Sequence, residues 1–195
     1  MTDLYAVLVA QRLALCDLLN DLDERQWATP SLCCGWTVRD VVCHLLGPVE
    51  FSVLRSVLPL IRSRFNFSRY TNLMVSQDAR DGPTLGAALR KGARVRWTPP
   101  GFGFEAPLTD VLVHGSDCFV ALGISRPIDL VAARAVLDFL VTPKAGRAFT
   151  SRDRVAAMRW EATDLNWAFG EGEVVRGTCE QLMLTMTGRD FGSVS

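Results

Sequence analysis

Histidine is nearly missing from this chain, with two in 195 residues, His44 and His114. Lysine is equally scarce: Lys91 and Lys144 stand against nineteen arginines, a bias that suggests a GC-rich coding sequence more than arginine chemistry. Net charge is absent as well. Basic and acidic residues number 21 each and the sequence pI is about 6.7, so no global field draws the protein to nucleic acid or anionic lipid. The local basic runs, Arg62, Arg64 and Arg69, then Arg90, Lys91, Arg94 and Arg96, read as solvated helix faces rather than a phosphate track. No Cys-x-x-Cys pair occurs, which removes a zinc knuckle. Cys16, Cys43 and Cys118 fall in helical patterns as small hydrophobes, and the adjacent Cys33 and Cys34 read as buried structural thiols before a redox pair. No uncharged stretch is long enough for a membrane span, the longest, Gln26 to Val38, being broken by Pro30 and Gly35. Asp3 stands where a secretory signal would be basic, so the expectation is a cytoplasmic protein. Repeats and low-complexity tracts are also missing. What remains is 49% apolar residues, enough to fill the core of one domain, or of one domain with a small appendage.

Leu4, Leu8, Leu15, Leu18 and Leu22 recur at helical spacing and predict a first helix. A second opens at Thr37, with Asp40 in the S/T-x-x-D/E arrangement that satisfies free amides, and Pro48 predicts a break just after His44. The helix should resume through Arg62 with an interruption near Pro59, followed by an irregular stretch at Asn66 to Tyr70. Further helices are expected from Thr84 to Trp97, from Pro107 to Gly123 and from Asp129 to Val141. After Arg152 the pattern alternates. Met158 to Ala162, Leu165 to Phe169 and Val174-Val175 predict short strands, and Thr178-x-x-Gln181 caps a last helix. The fold class is therefore mainly α: a four- or five-helix bundle over residues 1–146 and a small strand-plus-helix element over 147–195.

Each histidine has an aspartate four residues before it, Asp40 before His44 and Asp110 before His114. Residues at i and i+4 share a helix face, so Asp110 and His114 can offer donors to one ion from a single helix while His44 reaches it from another. Asp40 already has a capping role and is not counted as a ligand. Around His114 the helix is apolar on both flanks, with Asp110, His114 and Asp117 in a narrow polar gap that points to an internal cleft. Buried imidazoles and a carboxylate call for pairing or a cation. The alternative is two satisfied histidines, each near its own aspartate. Two imidazoles and one carboxylate suit Zn²⁺, Ni²⁺ or Fe²⁺, and three protein ligands leave positions for water or a thiol.

The run Trp27-x-x-Pro30-Ser31-Leu32-Cys33-Cys34-Gly35-Trp36-Thr37-Val38-Arg39-Asp40-Val41-Val42-Cys43-His44-Leu45, with Asp110-Val-Leu-Val-His114-Gly-Ser-Asp117, resembles the mycothiol-dependent maleylpyruvate isomerase family of actinobacteria, within the DinB-like metalloprotein superfamily. Ala162-Thr-Asp164, Gly170-Glu-Gly172 and Thr187-Gly188-Arg189 resemble the same group. The resemblance implies a DinB-like bundle holding a divalent metal, zinc first, on His44, Asp110 and His114, and mycothiol as co-substrate. It also implies two departures: the isomerase has glutamate at the Asp110 position and a C-terminal domain larger than residues 147–195 provide.

An open metal position would favour the thiolate of a low-molecular-weight thiol, a nucleophile for addition to an electrophilic small molecule. The expected activity is thus a metal- and thiol-dependent transferase or isomerase, with Arg189 or Arg55 as contacts for polar groups of the thiol. Two other readings stay open: a metal-dependent hydrolase, with Asp117 or Glu50 as general base, and a non-catalytic metal-stabilised bundle. A homodimer is compatible with all three.

Overall fold

Asp3 starts the first helix, its carboxylate accepting from the amides of Tyr5 and Ala6 at 3.0 and 3.3 Å, two of the donors a helix start leaves open. The computed structural model describes residues 2–50 and 67–189. Helix α1 covers Leu4–Leu19 and ends short of the expected Leu22, because Asp23 caps a separate short helix, α2, Glu24–Trp27. Helix α3, Val38–Leu46, begins with both halves of the Thr37/Asp40 capping box, as the sequence predicts. It stops ahead of Pro48. The Gly47 amide takes the His44 carbonyl at 3.0 Å in a tightened last turn. The continuation to Arg62, its interruption at Pro59, and Arg55 lie outside the described residues.

The stretch expected to be irregular is in part helical: α4 runs over Phe67–Gln77 and buries Thr71 and Val75, one turn apart. Polar residues at most of its positions hide that spacing. Helix α5, Gly82–Lys91, starts two residues before Thr84, since Asp81 is the cap and accepts from the Thr84 amide at 2.8 Å. Gly92 ends it, well before the predicted Trp97. Helix α6 spans Glu105–Ala121, with Pro107 tolerated in its first turn, and α7 spans Leu130–Leu140 from an Asp129 cap. A short α8, Arg152–Ala156, precedes the strands β1, Met158–Ala162, β2, Ala168–Phe169, and β3, Glu173–Gly177. They form one sheet in the order β2-β1-β3, antiparallel at Trp160↔Phe169 and parallel at Trp160↔Val175. Helix α9, Cys179–Met186, follows from the predicted Thr178/Gln181 box.

The mainly helical architecture with a small sheet near its C-terminal end is the one the sequence predicts. Helix α6 lies at its centre, packed by α1, α3, α7 and α9, while α5 packs on α1 and α3. Nearly every α6 side chain from Ala106 to Phe119 is buried; Asp110 is the half-buried exception. One hydrophobic core runs from Leu8 through α6 to Trp160 and Met186. Asp110, His114 and Asp117 share one polar stripe of this enclosed helix, and that stripe carries the site. No helix among the described residues is long and apolar enough to cross a membrane.

Candidate metal centre

His44, on the last turn of α3, and Asp110 with His114, on α6, converge as the sequence predicts, offering one donor atom each within 4.8 Å of one another. His44 Nε2 lies 3.8 Å from one Asp110 oxygen, and His114 Nε2 lies 3.8 Å from the other. These separations exceed hydrogen-bond range. In a tetrahedral zinc site with bonds of about 2.1 Å, donors stand roughly 3.4 Å apart, so the spacing fits a shared divalent ion with small adjustment. Both Nε2 atoms face the carboxylate, and the rings meet edge-on with centroids 4.8 Å apart. Burial, and then the neighbouring His114, push the His44 imidazole down to about 4, a shift only partly opposed by Asp110. It is therefore neutral at pH 7, the form that donates to a metal.

The other side of His114 is built differently. Its Nδ1 is 2.9 Å from an oxygen of Asp117, which is fully buried and also accepts from Arg189 Nε at 2.9 Å and Nη2 at 2.7 Å. Burial alone would raise the Asp117 carboxyl, but hydrogen bonds from His114 and Arg189 hold it below the usual range. An ionised Asp117 fixes the proton on Nδ1 and leaves Nε2 free toward Asp110 and His44. Cys33, His114 and Asp117 form a second group with metal-like spacing, yet the Arg189 guanidinium already occupies that carboxylate and supplies its counter-charge. Burial, with Asp117 adding to it, raises the Cys33 thiol, which disfavours a thiolate there. Cys34 is exposed, not the buried structural thiol expected, while Cys16, Cys43 and Cys118 are buried as predicted.

A tight loop holds the remaining wall. Ser31 and Trp36 share a backbone bond at 2.9 Å, the Val38 amide reaches Thr29 at 3.0 Å, and the Leu32 amide bonds the Asp117 carbonyl at 3.1 Å. Gly35 closes this loop at φ 79°, a left-handed conformation that favours glycine. The loop sets the Trp36 ring 5.1 Å from His44 and 6.4 Å from His114, and its indole N–H donates to Asn72 at 2.8 Å. Arg12, buried on α1, donates to the carbonyls of Ala93 and Val95 at 3.2 and 3.0 Å; burial lowers its guanidinium and the charge of Asp110 opposes that. Asp40 is confined to the Thr37 cap and an ion pair with Arg39 at 2.9 Å. Glu50 is paired with Arg80 at 2.9 Å. The sequence reading missed Trp36 and Arg12 and gave Arg189 a different task. No local spacing announces a partner 72 residues from Asp117.

A helical bundle with two histidines and a carboxylate converging at its centre, followed by a small sheet and helix, defines a class of candidate metalloproteins. Residues 8–94 match the family model of the mycothiol maleylpyruvate isomerase N-terminal domain, and the resemblance to that family read from the sequence is borne out. The match includes His44; α6 lies beyond it. Among solved structures, the crystal structure of the mycothiol-dependent maleylpyruvate isomerase superposes with a TM-score of 0.58 at 16% identity, over 100% of this chain and 95% of that chain. A histidine-to-alanine mutant of that isomerase gives a TM-score of 0.57 at 16% identity, over 97% and 93%. These likenesses show the fold. No curated protein matches the chain.

Proposed function

We propose that the chain binds one divalent ion through His44, Asp110 and His114, zinc first with nickel or iron as the other candidates, and acts as a mycothiol-dependent transferase or isomerase. The observation that carries this is the convergence of three donor atoms from two helices within 4.8 Å. His44 contributes a neutral imidazole, kept so by burial. Asp117 holds the His114 proton on the far nitrogen, and Asp110 supplies the one negative charge of the donor set. When bound, such an ion would favour the thiolate form of a thiol at neutral pH. Trp36 walls the same space. In this reading residues 1–146 form the metal-binding unit, and 147–195 supply Arg189, whose role is to hold Asp117 rather than to meet the thiol. A cytoplasmic setting and an actinobacterial source accompany it. The hydrolase reading loses support, because Asp117 and Glu50, its candidate bases, are both tied to arginines.

Calorimetry of the metal-loaded and metal-free protein with mycothiol tests the proposal. Binding should require the metal and release close to one proton near neutral pH, given a free thiol pKa of about 8.5. Equal binding to metal-free protein, or none, overturns the thiol reading and favours the non-catalytic bundle.

A further inference from the structure

A cavity of about 510 Å³ lies on the side of α6 away from the histidines, between α1, α6 and the segment leading into α7, and it opens to solvent. Asp110, His114 and Asp117 fall on one face of α6, whereas Val111, Leu112, Gly115 and Phe119 fall roughly opposite. Leu15, Val111, Leu112 and Phe119 make a buried apolar floor. Gly115 opens the space: a Cβ there would stand 3.6 Å from Arg126 Nη2 and 3.7 Å from Leu15 Cδ1.

One charged side chain enters this apolar space. Arg126 lies 5.5 Å over the Phe119 ring, donates to Ser116 Oγ at 3.1 Å and faces Glu180 at 3.7 Å, while its Nε is buried with no hydrogen-bond partner among the described residues. Nε is shut off from solvent, so an acceptor in the cavity can be met only by the terminal nitrogens of the guanidinium. The surrounding charges decide which kind. Glu180 already balances Arg126, and the carboxylates at the rim are Asp17, paired with Arg90 at 2.5 Å, and Asp129, bonded to Gln11 at 3.0 Å. An anion would find no free counter-charge there, and a cation would meet the guanidinium.

We propose that this cavity binds an uncharged, largely apolar molecule of roughly a dozen heavy atoms, with one carbonyl oxygen accepting from the Arg126 guanidinium. The site is separate from the metal centre, and its test does not depend on the metal. The full chain as purified is titrated with benzylacetone, with its hydrocarbon counterpart butylbenzene and with the anion phenylbutyrate, by calorimetry and by amide chemical shifts. Benzylacetone should bind about tenfold more tightly than either comparator, with shifts on α1 and α6. Arg126→Met should erase the preference for the ketone over the hydrocarbon. Gly115→Leu should abolish binding; if that variant does not fold, Gly115→Ala, which meets only ordinary contacts, should weaken it. The proposal is overturned if benzylacetone does not bind, if phenylbutyrate binds as tightly, or if Gly115→Ala and Arg126→Met both leave its affinity unchanged.

Discussion

Helix α6 carries two aspartates two turns apart, and their surroundings differ in every respect that matters. Asp110 is 27% exposed, sits 3.8 Å from two imidazole nitrogens and accepts no hydrogen bond from the described residues. Asp117 is 0% exposed and takes close hydrogen bonds from His114 and from two nitrogens of Arg189. Residue type and helix are the same; partners divide the roles. A satisfied, buried carboxylate is structural and orients its histidine, while a carboxylate with its lone pairs unspent is free to bind. His114 joins the two, one ring nitrogen toward each.

The largest expected effect tests that division directly. Asp117→Ala leaves the buried Arg189 charge unpaired and should destabilise the protein by about 3–5 kcal/mol, read by urea denaturation. Asp110→Ala in metal-free protein should change stability by less than about 1 kcal/mol. Equal losses would erase the distinction between the two carboxylates.

Metal content should show the opposite order. Protein refolded with zinc should carry about one equivalent, and His44→Ala, His114→Ala and Asp110→Ala should each lose it, whereas Asp110→Glu, which keeps a carboxylate one methylene longer, should retain it. Asp117→Asn should weaken metal affinity roughly 10–100-fold without abolishing it, since it removes orientation and not a donor. Full metal content in both histidine variants would sink the ligand assignment.

The depressed His44 adds a pH signature to the open side. Its folded value near 4 lies below the unfolded 6.5, so between these limits the unfolded chain binds more protons and acid destabilises the fold. In metal-free protein this contribution is intact above about pH 6.5 and is lost as the pH falls toward 4, a change of about 3 kcal/mol. His114, Asp110, Asp117 and Arg189 all face this group and shape the profile. His44→Gln should flatten the decline between pH 6.5 and 4; an unchanged slope would show that His44 is not held neutral by burial. A small effect belongs to Asp40, spaced from His44 as Asp110 is from His114 but confined to a cap. Asp40→Ala should cost about 1 kcal/mol and leave metal content unchanged.

His44, Asp110 and His114 are legible in the sequence because i,i+4 spacing and the rarity of histidine are local facts. The caps at Thr37, Asp129 and Thr178 are legible for the same reason, as short patterns that report backbone donors. Helix α4 is not, because its buried Thr71 and Val75 are set among polar residues and only packing against α3 reveals the face. The early end of α5 hangs on Gly92, which a periodicity running on to Trp97 passes over. Arg189 was legible as a basic residue near the site but not as the partner of Asp117, because that pairing exists only once α9 has docked.

The bonds at Asp117 also set an order of events. Its carbonyl ties Leu32, and its carboxylate ties Arg189 across 72 residues of chain. Contacts this distant close late in folding, after α6 has formed from local ones. Until Arg189 arrives, Asp117 meets His114 from the same helix but is not itself held, so the imidazole is anchored on a carboxylate that is free to swing. The aim of the ring is therefore settled by that long-range closure, so a chain caught before it would hold the same three donors with the imidazole not yet held in place.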